Sequence, residues 1–347
     1  EQKRYKDARN SFARSFALAP LADFVLGDMM HSSMHICDWR DFGGNLVNLE
    51  QRLAENRKAV NPFSVLALTS DLSALRKAAE IFTSTLHSDS SRLSALLKLP
   101  RKDRIRIGYY SADFHEHATA YLMAELFELH DKNKFELVAF SFGPDIQDFM
   151  RQRVSAAFDR FVDVSQQTDR EVALLSRKIG IDIAVDLKGY TQDSRPGIFA
   201  CRVAPIQVNY LGFPGTMGAD FMDYIIADQT LIPSESQPFY SEKIAYLPNS
   251  YQVNDAKRQI SSRTFTREEL GLPAAGFIFA CFNNNYKITP QTFSGWMRIL
   301  NQVTDSVLWL FEANADAVAN LRKSAASQGV DPGRLIFATH MPLSDHL

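Results

Sequence analysis

Ile105-Arg-Ile-Gly-Tyr-Tyr110, running into Asp113-Phe-His-Glu-His-Ala-Thr119, decides the fold. The short apolar and aromatic run predicts a buried strand. The polar turn after it, with a helix predicted over 118–130, completes one strand–helix unit. The alternation continues downstream, with strands predicted over Phe135–Phe142, Phe161–Val164, Ile181–Leu187, Ile206–Leu211 and Tyr224–Ala227. Helices are predicted over 147–157, 168–179 and 195–201. Strands and helices taking turns in this way give a mainly parallel sheet covered by helices. Such sheets build their sites outside the carboxyl ends of the strands, so the turn Asp113–Thr119 is the first place to look for chemistry.

A second alternating unit starts near Thr266. Thr266-Arg-Glu-Glu-Leu270 reads as a short helix, Phe277–Phe282 as a strand, and Pro290–Val303 as a helix with proline in its first turn. Val307–Phe311, Ala315–Gln328 and Leu335–Ala338 continue it as strand, helix and strand. Residues 248–265 are polar and irregular. In front of both units, residues 1 to about 100 read as helical, with helices over 22–36, 44–57 and 71–86. Ala8, Phe12 and Phe16 share one helix face and Pro20 ends that helix, a pattern resembling the second helix of a tetratricopeptide repeat. The expected division is a helical segment over 1–100, a Rossmann-like domain over 101–250, a linker over 251–265, and the first part of another Rossmann-like domain over 266–347.

Composition narrows the function classes. A net charge of −2 gives no basic field for nucleic acid or a membrane surface. No apolar run reaches the 18 or so residues of a membrane span. The cysteines Cys37, Cys201 and Cys281 are few and far apart, which argues against a disulfide framework and for a reducing compartment, the cytoplasm. The chain starts at Glu1 inside a helix and stops just after a strand, so it reads as a piece of a longer protein.

Four stretches can carry chemistry. His117 precedes a helix, where its imidazole can contact a sugar or accept a proton; with Thr119 it serves equally well as a cap. Gly189-Tyr-Thr191 follows a strand, as does Leu211-Gly-Phe-Pro-Gly-Thr-Met-Gly218, whose glycines permit close backbone approach or simply make a tight turn. In Cys281-Phe-Asn-Asn-Asn-Tyr-Lys-Ile-Thr-Pro290, Lys287 lies just before a helix start. Two positive ends meeting there favour an anion between them, such as a diphosphate; the bland alternative is a solvated surface lysine. The phosphate loops Gly-x4-Gly-Lys-Ser/Thr and Gly-x-Gly-x-x-Gly are absent, and so is an Asp-x-Asp pair. His31-x3-His35-x-Cys37 lacks a clear fourth ligand and reads as core packing or surface placement rather than as a zinc site.

Taken in order, these blocks resemble the bacterial and animal protein O-GlcNAc transferase family. The resemblance runs through Cys37-Asp-Trp39, Pro62-Phe-Ser-Val-Leu-Ala-Leu68, Arg106–Phe114, His117-Ala-Thr119, Gly189-Tyr-Thr191, Arg202–Gln207, Leu211–Thr216, Asp223–Asp228, Tyr240–Lys243, Phe282–Lys287 and Ser306–Leu310. It implies a GT-B fold of two Rossmann-like domains, the second incomplete here, behind a helical-repeat segment. It also implies inverting, metal-independent transfer of N-acetylglucosamine from UDP-GlcNAc, a substrate, to Ser or Thr hydroxyls of proteins, with no cofactor. Lys287 matches the lysine that neutralises the diphosphate, and Asn284 and His346 match nucleotide contacts. His117 matches a histidine of the sugar site and is assigned, with Lys287, to catalysis; Gly212 and Pro214 match residues walling the sugar pocket. Thr119 and Tyr190 fall in matching blocks and are assigned to substrate binding with them. Protein acceptors would bind through the helical repeats. Asn284 stands where animal members have Gln, Leu343 where they have Lys, and their long insertion between the domains is missing, which points to a bacterial-type member. A related transferase using GDP-fucose or a UDP-hexose, or a non-catalytic repeat scaffold, are the competing expectations. The family's His-Thr-Thr donor-binding segment is not in this sequence, so weak donor binding by this chain alone is expected.

Overall fold

A computed structural model describes residues 3–86, 93, 94, 96 and 103–347. The front of the chain is helical: α1 (Tyr5–Leu18), α2 (Val25–His35), α3 (Phe42–Ala54), α4 (Pro62–Val65) and α5 (Leu72–Leu86). Then come β1 (Ile105–Ser111), α6 (Ala118–Leu129), β2 (Phe135–Ser141), α7 (Phe149–Ala157), β3 (Arg160–Asp163), α8 (Asp169–Ile179), β4 (Ile183–Asp186), α9 (Pro196–Ala200), β5 (Ile206–Asn209), β6 (Tyr224–Ala227) and β7 (Lys243–Tyr246). The last stretch holds β8 (Phe277–Cys281), α10 (Pro290–Gln302), β9 (Ser306–Phe311), α11 (Ala315–Ser327), β10 (Leu335–Ala338) and α12 (Leu343–His346).

Local chemistry sets the ends of these elements. Thr168 and Glu171 form a reciprocal capping box at the start of α8, and Gly180 closes it at φ 79°. Pro290 occupies the first turn of α10, whose cap is Thr289. Thr266–Leu270, expected to be a helix, is a run of turns: Thr266 and Glu269 do exchange cap hydrogen bonds, but Gly271 at φ 66° stops the chain before a helix propagates. β7 lies at the sheet edge with Lys243 and Ala245 exposed, and is absent from the expected strands although Ile244-Ala-Tyr-Leu247 is apolar.

Two compact units result. One spans Asp71–Arg258 and contains a seven-stranded sheet in the order β3-β2-β1-β4-β5-β6-β7, parallel throughout. Phe114, Met123, Phe127, Leu137, Phe158 and Leu187 join the apolar core beneath β1 and α6. Phe127 is fully buried, and burial on this scale stabilises by about 1.5–3 kcal/mol for each such side chain. Helix α5 belongs to this unit: Thr83 donates to the Met217 carbonyl at 2.9 Å, and Arg76 donates to that of Pro238. Residues 251–258 belong to it as well, with Asp255 paired to Arg153 at 2.5 Å and Tyr251 and Val253 against the core.

The other unit joins the residues up to Ser70 with Gln259–Leu347 and has a parallel sheet in the order β10-β9-β8. Cys37, from the helical segment, is buried in the same cluster as Phe293, Met297, Leu308 and Leu321, and Trp39 packs against it. The grouping therefore departs from sequence order. Helices α1–α4 fold with the second sheet because the loop after α2 supplies part of that sheet's core.

Candidate active site

In the seven-stranded sheet the strand order reverses between β1 and β4, so their carboxyl-end loops diverge and leave a crevice of the kind that binds ligands. Asp113, after β1, and Lys188, after β4, meet there: Nζ to Oδ2 is 2.7 Å, and both side chains are more than nine-tenths buried. Asp186, fully buried, accepts the Lys188 backbone N–H at 2.8 Å. Burial pushes its carboxyl up to about 6, against the pull of the Lys188 and Gly189 backbone N–H groups and the Lys188 charge. Arg151, also buried, reaches the Phe114 carbonyl and the Ser141 hydroxyl from α7 and so braces the turn from behind.

His117 caps α6. Its Nδ1 accepts the Thr119 backbone N–H at 3.2 Å and lies 3.4 Å from Asp113 Oδ2. The ring is half-exposed. Burial holds its pKa below the ordinary value, Asp113 pulls it up, and Lys188 and His115 push it down. An Nδ1 that accepts leaves the proton of the neutral ring on Nε2, so the ring is arranged to donate rather than to accept. Thr119 is buried, with its hydroxyl 3.5 Å from Asp113 Oδ2.

Tyr190 is buried too. Its hydroxyl donates to the Met217 carbonyl at 2.7 Å and bonds Thr83, and its ring meets Phe213 edge-on. It holds the β4 and β5 loops together and presents no free polar group. Gly212 is required by close approach: a Cβ there would sit 2.0 Å from the Leu187 carbonyl oxygen. Leu211 before it holds φ 65°, a strained value for a residue with a side chain. Thr216 and the Met217 N–H are fixed by buried Glu242, and the half-buried Pro214 offers its carbonyl to Tyr240 at 3.4 Å. Sequence reasoning passed over Lys188 as a site residue. Its one visible signal was a lysine directly after an apolar strand.

The second sheet carries a different kind of loop. After β8, Asn284 and Lys287 are exposed, and Asn285–Lys287 form a single 3-10 turn in which the Lys287 N–H bonds the Asn284 carbonyl at 3.0 Å. Among the described residues no carboxylate pairs with Lys287; its ammonium lies 6.0 Å from the centroid of the Tyr286 ring. The helix that follows, α10, points its positive end toward the same stretch. His346 in α12 sits against Phe282 with ring centroids 5.4 Å apart, so it is brought beside this loop. Among the described residues no group of three or more His, Cys, Asp or Glu converges as a metal requires, and Cys37, Cys201 and Cys281 are free thiols. No helix of the described residues is long and apolar enough to cross a membrane.

The profile of Glycosyl transferase family 41 matches residues 36–265 and 257–347, taking in both sheets and both loops. The chain belongs to glycosyltransferase family 41. It is 33% identical over 339 residues to the probable UDP-N-acetylglucosamine–peptide N-acetylglucosaminyltransferase SEC of Arabidopsis thaliana, covering 92% of this chain and 35% of that protein. It is 25% identical over 438 residues to the UDP-N-acetylglucosamine–peptide N-acetylglucosaminyltransferase of Caenorhabditis elegans, covering 90% and 38%. A solved Lys-to-Met mutant of the Thermobaculum terrenum O-GlcNAc transferase superposes with a TM-score of 0.79 at 26% identity, over 98% of this chain and 65% of that one. The chain spans about a third of the length of the curated relatives it matches. Its parallel sheets and covering helices are those of the GT-B class expected from the sequence.

Proposed function

We propose that this chain forms part of an enzyme that transfers N-acetylglucosamine from UDP-GlcNAc to Ser or Thr hydroxyls of proteins, with inversion at the sugar carbon. The observation that carries it is Lys287: an exposed ammonium without a carboxylate partner among the described residues, beside the positive end of α10, in a member of glycosyltransferase family 41. As the bond from the sugar carbon to the β-phosphate oxygen breaks, negative charge grows on the departing UDP. Lys287 and the helix end stabilise that charge, so they lower the barrier rather than merely hold the ground state. Charge neutralisation falls to these protein groups, with no metal ion assigned to it. Asn284 and His346, on and beside the same loop, contact the nucleotide.

His117 donates its Nε2 proton to a sugar or phosphate oxygen, because Nδ1 is engaged with Thr119. On that arrangement it orients the donor and is not the base that takes the acceptor's proton. Gly212 and Pro214 wall the sugar. Lys188, Thr119 and Tyr190 shape the crevice from within the fold. Protein acceptors bind through the helical segment and its repeats, and three free thiols suit a cytoplasmic protein.

The test is Lys287→Ala in the full-length protein, with transfer from UDP-GlcNAc to an acceptor protein followed by mass spectrometry. Transfer should fall about 10²–10³-fold, the usual scale for losing one such charge stabiliser. Undiminished transfer overturns the proposal. Competition by UDP but not GDP identifies the donor base; competition by GDP instead points to the fucose alternative.

A further inference from the structure

The proposed phosphate-binding loop is held by the helical segment. Tyr286, next to Lys287, lies on a bed of rings from that segment. Its centroid is 4.9 Å from His35, 5.3 Å from His31 and 6.1 Å from Phe63. The bed is itself interlocked: Tyr5 of α1 stacks on His35 at 3.9 Å with planes 2° apart, and His31 meets His35 edge-on at 4.8 Å. The backbone is hooked as well. Asn285 is buried, and its carbonyl accepts the Cys37 thiol at 4.0 Å. Asn314 and Asn320 donate to the His35 and Ile36 carbonyls at 2.9 and 2.8 Å, fixing the end of α2 to α11.

We infer that His31 and His35 are positioning residues for Lys287: the two imidazoles seat Tyr286, and the seated ring fixes the point from which Lys287 extends toward the donor. Lys287 has an exposed, flexible stem and no other anchor among the described residues, so its aim depends on where its backbone is held. Burial keeps both imidazoles neutral, with pKa values lowered to about 4, so the bed adds no positive charge beside the ammonium. No hydrogen bond of the Tyr286 hydroxyl is needed; the contacts are ring to ring, edge-on at His31 and tilted at His35 and Phe63. A histidine pair whose spacing suggests a metal site thus serves as an aromatic support. The helical segment thereby contributes to the chemistry of the neighbouring sheet, and not only to recognition of acceptors.

This rests on the charge-stabilising role proposed for Lys287, and the experiment separates the two. Four variants of the full-length protein are compared for kcat and KM with UDP-GlcNAc: His35→Ala, His35→Leu, Tyr286→Ala and Tyr286→Phe, with Lys287→Ala in parallel. His35→Leu fills the site without a ring, should His35→Ala not fold. Loss of the bed should lower kcat about 10–100-fold in His35→Ala, His35→Leu and Tyr286→Ala, while Tyr286→Phe stays within about threefold, as expected for misplacement of a charge-stabilising group. Wild-type kcat in His35→Leu or Tyr286→Ala, with Lys287→Ala inactive, overturns the inference alone. An equal loss in Tyr286→Phe and Tyr286→Ala also overturns it, since the hydroxyl would then be what matters. Full activity in Lys287→Ala removes the role on which both depend.

Discussion

Lys188 and Lys287 both follow the carboxyl end of a parallel strand, and the protein treats them in opposite ways. Lys188 is buried and bound to a buried carboxylate at 2.7 Å. Lys287 is exposed, with its ammonium 6.0 Å from the centroid of the Tyr286 ring. A buried ammonium must be neutralised within the fold, because desolvation costs several kcal/mol per ion. An exposed one costs nothing to leave alone, so it stays available to a ligand. The contrast makes Lys188 an internal tie between the loops after β1 and β4, and leaves Lys287 as an ammonium open to a ligand. It also shows that a lysine after a strand is not in itself a phosphate contact.

The contrast breaks first on stability. Lys188→Met leaves the buried Asp113 without its cation and should destabilise the protein by about 3–5 kcal/mol in urea denaturation. Lys287→Met should change stability by no more than about 0.5 kcal/mol, as surface substitutions do. Replacing both members, as Asp113→Leu with Lys188→Met, should recover most of the loss. Equal costs for Lys188→Met and Lys287→Met would erase the distinction. The Lys188→Met protein should also show a higher His117 pKa by NMR, because the Lys188 charge is one of the forces lowering it.

A smaller effect comes from the buried carboxylate of the crevice between β1 and β4. The folded-state pKa of Asp186 is raised to about 6, above its ordinary value of 3.8. The folded state therefore binds this proton more tightly than the unfolded chain. The stability it contributes is fully present below about pH 4 and is lost as the pH rises through about 6. The difference in stability between wild type and Asp186→Asn should accordingly change by about 3 kcal/mol across that window, the free energy equivalent of the shift. Parallel pH–stability curves for the two proteins would show Asp186 to be ordinary.

These pairings mark where the sequence stops being legible. The strands from β1 to β6 and the strand–loop–helix around Lys287 could be read from apolar runs and from Pro290, because those signals are local. β7 is absent from that reading although Ile244-Ala-Tyr-Leu247 is apolar; it pairs only with β6, at the sheet edge. The Lys188–Asp113 pair depends on β4 lying beside β1, a fact of strand order and not of spacing. For the same reason the helical segment looked like a separate domain, while Cys37 and Trp39 lie in or against the core of the second sheet. His31 and His35 read as core packing or surface placement; they are packed, and their partner Tyr286 is far away in the chain. His117 was legible in kind and ambiguous in role, since a cap and a ligand-facing ring ask for the same position.

That ambiguity yields the smallest and most discriminating measurement. His117→Ala removes the acceptor for the Thr119 N–H and should cost about 1 kcal/mol, the usual loss for a helix cap. His117→Asn keeps a capping oxygen and should stay within about 0.3 kcal/mol of wild type. If the ring only caps, activity follows stability, and the Asn variant transfers sugar like the parent. If Nε2 also donates to the bound donor, both variants lose transfer together although only one loses stability. Because the ring is neutral in either role, and its pKa lies below the ordinary value, the wild-type rate should not fall as the pH rises from 7 to about 8 through any titration of His117. A rate loss in that range belonging to His117 would require a protonated imidazole and would overturn its role as a neutral donor.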